Sequence, residues 1–324
     1  MPINETLVNE LFTKISNIEN ILQPQPPLQE FVKQATKYIN EIDNEGRRNT
    51  ATAYRRSLNA FLKVNPSGEL TKKNLLTFFD YTRKRSSEDC AKAYCIDLRA
   101  LYNHITRDEE NAPQLFKCLR LRRKLYRKPR ALSIEQILQI YNAENLTGKE
   151  EFARSAFLLS FCLCGVNICD LYAMKPPKAN ILHYYRQKTA SRRDDQAEQF
   201  LQVTEIAAAI AAPMVAKSGE FWLDWHARPE KNILKKINQG LKLLAKKLDL
   251  PSDLSSYWAR HSWATIARNN FNIDIFDISE CLNHTPPTNK IDFVYIRRDQ
   301  MKASRINEKI INKIFSAEAN RRAV

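Results

Sequence analysis

Residues 256–265 read SYWARHSWAT, residues 282–284 read LNH and residues 293–296 read FVYI. The first stretch opens a helix in which Arg260 stands among apolar neighbours, the second ends another helix at His284, and Tyr295 follows a short Pro-Pro loop. An arginine, a histidine and a tyrosine are side chains that suit work on a phosphodiester. The guanidinium of Arg260 would fork two N–H donors onto non-bridging phosphate oxygens, a geometry lysine cannot copy. A histidine can donate to an anion, and a tyrosine phenolate can act as a nucleophile. Each has a plainer alternative: a structural ion pair for Arg260, a histidine satisfying helix-terminal carbonyls for His284, and a half-buried aromatic for Tyr295.

Outward from this cluster, a new folded unit begins at Ala131, where Ser133 supplies a helix cap and Glu135 an acid in the first turn. A long buried helix over 151–164 follows, and residues 165–171 then read GVNICDL. Residues 181–197, ILHYYRQKTASRRDDQA, alternate aromatic and polar side chains around a polar turn, and 200–203 continue as a strand. The region predicts a small antiparallel sheet. Helices are expected over 204–212, 229–248, 256–269, 275–282 and 291–315. In the last of these Met301, Ile306, Ile310, Ile314 and Phe315 form an apolar stripe that suits either the unit's own core or a neighbouring protomer.

Towards the N-terminus, Leu7, Leu11, Ile15, Ile18 and Leu22 recur every three or four positions, and Pro24, Pro26 and Pro27 stop that helix. Residues 28–42, 50–64, 71–83 and 87–105 read as four helices separated by the breaks DNEGRRN and NPSGE, a small bundle. Arg55 and Arg56 beside Tyr54 interleave cation and ring on one helix, which suits contact with a DNA backbone or a solvated face. Residues 117–130, KCLRLRRKLYRKPR, hold eight basic residues in fourteen and no acid. That run predicts a linker that tracks phosphates through Arg122, Arg123, Lys124, Arg127 and Lys128.

Composition agrees with a polyanionic partner. The 324 residues carry 51 Lys and Arg against 36 Asp and Glu, a formal charge of +15, and cations that neutralise phosphates release condensed counterions. A 44% hydrophobic content is enough for a real core. The longest apolar stretch, Ser155–Cys169, is broken by Ser160, Gly165 and Asn167, so no membrane span is expected. The N-terminus lacks a basic segment followed by an apolar one, which argues against a secretory signal. A cytoplasmic, nucleoid-associated protein is the expectation. Seven irregularly spaced cysteines fit reduced thiols, and neither they nor the five histidines sit at metal-site spacing.

Taken together these motifs resemble the tyrosine recombinase, or phage-type integrase, family. Its catalytic domain carries an H-x-x-R-H-[ST] helix, an L-G-H turn and then a tyrosine, preceded by G-[LM]-R-x-x-[ED]-L and a β-hairpin lysine. Here Tyr257-Trp258-Ala259-Arg260-His261-Ser262, Leu282-Asn283-His284 and Tyr295 keep that order, after Gly165 to Leu171 and the YRQKT of 185–189. The resemblance covers about residues 26–320. It implies a mainly α fold with a small antiparallel β-sheet, built as a helical core-DNA-binding domain over 26–110, a basic linker over 111–130 and an α+β catalytic domain over 131–324, with residues 1–25 read separately as an N-terminal helix or arm. It implies Tyr295 as nucleophile, Arg260 and His284 on the phosphate, and Lys188 as the acid for the leaving oxygen. Asp170 and His261 match positions that support the site. Double-stranded DNA is the implied partner, bound by a homodimer or homotetramer, with no metal or cofactor.

Three departures matter. Asn167 stands where the family has its first catalytic arginine, and an amide is uncharged and too short to clamp a phosphate. Arg186 lies two residues before Lys188, and on a strand those positions share a face, so Arg186 is expected to supply the missing charge. Tyr257 replaces the first histidine, where a phenol can donate one hydrogen bond but cannot serve as an acid or base at neutral pH. Asn283 replaces a glycine, a tolerable change because Asn accepts left-handed backbone conformations. The expected function is site-specific strand cleavage and rejoining through a 3′-phosphotyrosine. The alternative is a catalytically impaired, recombinase-derived DNA-binding protein.

Overall fold

The computed structural model describes residues 30–108, 114–121, 130–284 and 299–322, with side chains to residue 316. The expected arm over 1–25, the cations Arg122, Arg123, Lys124, Arg127 and Lys128, and Tyr295 lie outside the described residues. The chain divides into two compact units between Arg127 and Lys128.

The first unit is helical. Helices α1 (Glu30–Asn44), α2 (Arg48–Val64), α3 (Lys72–Arg85) and α4 (Glu88–Ile105) follow one another through short polar breaks. Two of the starts are set by hydroxyl caps: Thr71 accepts from the Asn74 N–H at 3.2 Å, and Ser87 from that of Cys90 at 3.1 Å. Glu88 and Asp89 in the first turn of α4 complement its dipole, as do Arg83, Lys84 and Arg85 in the last turn of α3. Ile39, Phe61, Leu75, Phe78, Leu98 and Leu101 close the core, with Phe61 edge-on to Phe78 at 5.5 Å between centroids. Residues 114–121, read from sequence as the opening of the linker, belong to this core. Phe116, Leu119 and Leu121 are buried in it, while Lys117 and Arg120 stay exposed. Alternating apolar side chains anchor the start of the basic run.

The second unit is built around one buried helix. Its order is α5 (Ile134–Tyr141), α6 (Gly148–Cys162), α7 (Ile168–Ala173), β1 (Ile181–Tyr185), β2 (Glu198–Gln202), α8 (Glu205–Ala211), α9 (Glu230–Lys247), α10 (Tyr257–Asn269), α11 (Ile275–Cys281) and α12 (Lys302–Arg322). A capping box between Thr147 and Glu150 starts α6, which is then buried nearly all round from Ala153 to Cys162. Helix α9 lies tight against it at Gly240, where a β-carbon would come 2.4 Å from the Lys149 carbonyl and 2.6 Å from Ala153 Cβ. The sheet is a two-stranded antiparallel pair with Ile181 opposite Gln202 and Tyr185 opposite Glu198.

Helix α12 resolves the question of its apolar stripe in favour of its own unit. Ile310, Ile311, Ile314 and Phe315 are buried in the core. Ser304 bridges β2, accepting from Gln202 N–H at 2.9 Å and donating to the Phe200 carbonyl at 3.1 Å. Asn307 accepts from the Trp263 indole at 2.8 Å and donates to the Cys162 carbonyl at 2.7 Å, which ties α12 to α10 and α6. Each of these bonds satisfies a buried polar group at its proper register. No helix among the described residues is long and apolar enough to cross a membrane.

Candidate active site

Arg260 sits one turn into α10, only 6% exposed. It comes close to the turn after α6 because Gly165 has no side chain. With φ at +65°, a β-carbon there would lie 2.3 Å from Arg260 Cα. Arg260 Nη1 donates to the Gly165 carbonyl at 3.1 Å, and Nη2 donates to the Leu282 carbonyl. One guanidinium therefore spans the two turns that carry the GVNICDL and LNH motifs.

Arg186 is the second buried cation, also 6% exposed. Its Nη1 donates to the Asn283 carbonyl at 2.8 Å, while its buried Nε has no partner among the described residues. The strand argument that put Arg186 and Lys188 on one face needs correction. Strand β1 ends at Tyr185, Arg186 follows it as a buried residue, and Lys188 stands exposed in the turn beyond. The hydrogen-bonded turn from Arg186 to Thr189 and Ala190 is what brings the lysine round. Both charges still act on His284. Partial burial first, then Arg260, Arg186 and Lys188, push His284 down to about 4, so its ring is neutral at neutral pH and offers one N–H donor.

One carboxylate lies beneath these cations. Asp170 is 4% exposed; it accepts from the Gln187 N–H at 3.0 Å and from Asn167 Nδ2 at 3.5 Å. Burial pushes its carboxyl up, while the Gln187 N–H, Asn167, Arg186 and Arg260 favour the charged form. Burial, then Arg186, lowers Arg260, although an arginine keeps its proton at any working pH. Among the described residues, two buried guanidinia act on this one buried carboxylate and Lys188 adds its charge at His284, which leaves an excess of positive charge that an anion would balance.

Asn167 caps α7 without a side-chain cap bond, and it brings no charge to the site. Tyr257 opens α10, about half exposed, with its ring edge-on to His261 at 4.8 Å. Burial first, then Arg130 and Arg260, lowers His261. The sequence reading passed over Tyr184, whose phenol is pushed up chiefly by burial and next by Asp170, and which interacts with both arginines. Its position two residues before Arg186 was the available signal. Arg193 was also missed, because a polar hairpin turn carries no mark of what its side chains reach. It donates to Asn283 Oδ1 at 2.9 Å and to the His284 carbonyl at 3.2 Å.

In the first unit, Arg55 is tied down, donating to Asp43 at 3.1 Å and to Asn40 at 3.4 Å. Arg56 instead lies over the Tyr94 ring at 5.3 Å from its centroid. Thr52, Asn59, Lys63 and Tyr94 line a groove of about 410 Å³ with these arginines. Among the described residues no cluster of His, Cys, Asp and Glu is arranged to hold a metal ion.

No family model matches the chain. No curated protein matches it either. Solved structures do. A lambda integrase tetramer bound to a Holliday junction is 15% identical, with 89% of each chain covered and a TM-score of 0.59. A lambda integrase dimer bound to a core site is 13% identical over 82% of this chain and 98% of that one, with a TM-score of 0.58. The Tn1549 transposon integrase in complex with transposon right end DNA is 11% identical over 87% of this chain and 99% of that one, with a TM-score of 0.56. The chain has the fold of these integrases, the tyrosine recombinase fold.

Proposed function

We propose that this chain is a site-specific DNA recombinase that cleaves and rejoins strands through a 3′-phosphotyrosine, assembling on double-stranded DNA as a dimer or tetramer. The observation that supports this reading most directly is that Arg260 and Arg186 both bond to the Leu282–His284 turn, with Lys188 adding its charge at His284, in a fold shared with integrases solved on DNA. Tyr295, eleven residues after His284 in the sequence, is the nucleophile in this reading. Its phenolic oxygen bonds to phosphorus as the bond to the 5′ oxygen breaks. The phenol loses its proton to water, the departing oxygen takes one from Lys188, and the neutral amine of Lys188 is reprotonated from solvent. Charge accumulating on the non-bridging oxygens is met by the two arginines and the neutral ring of His284. Attack by a 5′ hydroxyl on the phosphotyrosine reverses the sequence, so neither a metal nor a nucleotide is needed for energy.

A second reading rests on Asn167. Its amide leaves the usual position of a phosphate-clamping arginine without charge, which favours a binding protein that no longer cleaves. The two separate in one experiment. DNA crosslinked to the protein in its host is sequenced, and the recovered sites are made as nicked suicide substrates. An adduct that survives denaturant and is lost in Tyr295→Phe supports the recombinase. Tight binding with no adduct supports the binding protein.

A further inference from the structure

Asn283 does more than accept the left-handed conformation that its turn requires. Its φ is +51°, a value that glycine adopts at no cost, so the backbone alone gives no reason for an amide side chain. The residue is 2% exposed, and its polar groups are bonded. Its Nδ2 donates to the Ala197 carbonyl at 2.7 Å, and its Oδ1 accepts from Arg193 Nη1 at 2.9 Å. Its backbone N–H donates to the Glu280 carbonyl at 2.8 Å, and its own carbonyl accepts from Arg186 at 2.8 Å and from Arg193 at 3.4 Å. The Arg193 Nη1 also donates to the His284 carbonyl at 3.2 Å.

Arg193 is itself held from behind. Its side chain is 9% exposed, and its Nε and Nη2 pair with the two carboxylate oxygens of Asp195, which also accepts from the Ala197 N–H at 3.0 Å. The end of the hairpin and the Leu282–His284 turn are thus joined through the Asn283 amide and the Arg193 guanidinium, beside the bond from Arg186. Arg186 N–H donates to the Ala197 carbonyl at 3.1 Å, so the same carbonyl that receives the Asn283 side chain also fixes the backbone of Arg186.

We infer that Asn283 and Arg193 are a positioning clamp, fastening the hairpin to the His284 turn so that Arg186 and His284 face one phosphate together. The inference rests on the proposed phosphoryl-transfer reading for its consequence, though not for its geometry. A glycine at 283 would keep the turn and lose both side-chain bonds. With an asparagine at 167, the proposed second phosphate-binding arginine comes from the hairpin, and Arg186 lies just past the paired strand, where the ladder no longer fixes the side chain and the bonds at the hairpin's end do.

The test uses the full chain carrying Asn283→Gly, Arg193→Gln, Arg186→Ala and the double variant Asn283→Gly/Arg186→Ala. On a suicide substrate, Asn283→Gly should slow single-turnover cleavage by about 10- to 100-fold while DNA affinity changes less than about threefold. Added to Arg186→Ala it should cost several-fold less than in the wild-type background, because one of the two residues it positions is already gone. Equal costs in both backgrounds would mean a general structural role and overturn the clamp. A second measurement needs no activity. In histidine-labelled protein, with His284 assigned by its loss in His284→Gln, the titration midpoint of His284 should rise by one unit or more in Asn283→Gly, as the ring leaves its half-buried, cationic surroundings. An unchanged midpoint also overturns the clamp. Absence of any adduct in the wild-type protein counts against the recombinase reading, and the titration then decides the clamp alone.

Discussion

Gly165 and Arg260 are in direct contact: a β-carbon on the glycine would lie 2.3 Å from Cα and 2.7 Å from Cβ of the arginine. The carbonyl of the same glycine accepts from Arg260 Nη1 at 3.1 Å. The residue that admits the arginine therefore also orients it. Gly165→Ala should be costly twice over, through a φ of +65° that alanine adopts with strain and through displacement of α10. A loss of about 2–4 kcal/mol in stability is expected from chemical denaturation. Cleavage by the fraction that stays folded should fall at least as far as in Arg260→Lys. A variant with wild-type stability would show that α10 does not pack against this turn.

Arg186 is expected to act as the second phosphate clamp. Arg186→Ala should lower single-turnover cleavage by about 100- to 1,000-fold, the range found when one donor to a developing oxyanion is removed. Arg186→Lys should recover little of this, since an ammonium does not reproduce the fork that donates to Asn283 and leaves Nε free. If Arg186→Ala cleaves as well as wild type while Lys188→Ala does not, the assignment is wrong.

Acid should destabilise the second unit through His284. Its folded value of about 4 lies below the ordinary value of 6.5, so between these the unfolded chain binds a proton that the native site rejects. Stability from this group is present above pH 6.5 and is lost as pH falls towards 4. His261 is shifted in the same direction, so the comparison has to isolate one ring. Thermal unfolding of DNA-free protein should fall less steeply between pH 6.5 and 4 in His284→Gln than in wild type. Parallel curves for the two proteins would contradict the electrostatic description of the site.

The two neighbouring arginines of α2 should behave differently on DNA. Arg55 is engaged with Asp43 and Asn40, whereas Arg56 lies over Tyr94 in the groove that Lys63 and Asn59 also line. Arg56→Ala should weaken binding more than Arg55→Ala and reduce the slope of log affinity against log salt by about one. Equal effects would mean that the acid at position 43 does not hold Arg55 back.

Neutralising the basic residues of 117–130 tests the bulk charge. Binding should weaken and its salt dependence flatten by several counterions, because most of these cations are read as phosphate contacts, while DNA that is bound is still cleaved. An unchanged salt slope would place the run away from the duplex.

Much of this protein was legible in its residues. The helix start at Ser133 followed from its hydroxyl cap, and the four helices of the first unit from the pattern between polar breaks, because both are local properties of ten or fifteen residues. The order of Arg260 and His284, and the presence of Arg186 beside Lys188, were equally plain. What the chain order does not contain is distance between segments far apart in sequence. That Arg186 follows a strand and turns inward, that Arg193 reaches the 283–284 carbonyls, and that Asn283 bonds to the hairpin were decided only when some 90 residues of intervening chain folded back. Helix α12 shows the same division. Its apolar stripe was visible, but whether its own core or another surface would cover that stripe depended on Asn307 and Ser304 finding buried partners over 100 residues away. Periodicity and capping are written in neighbours along the chain; a charged site depends on which carbonyls and carboxylates the fold brings to each cation.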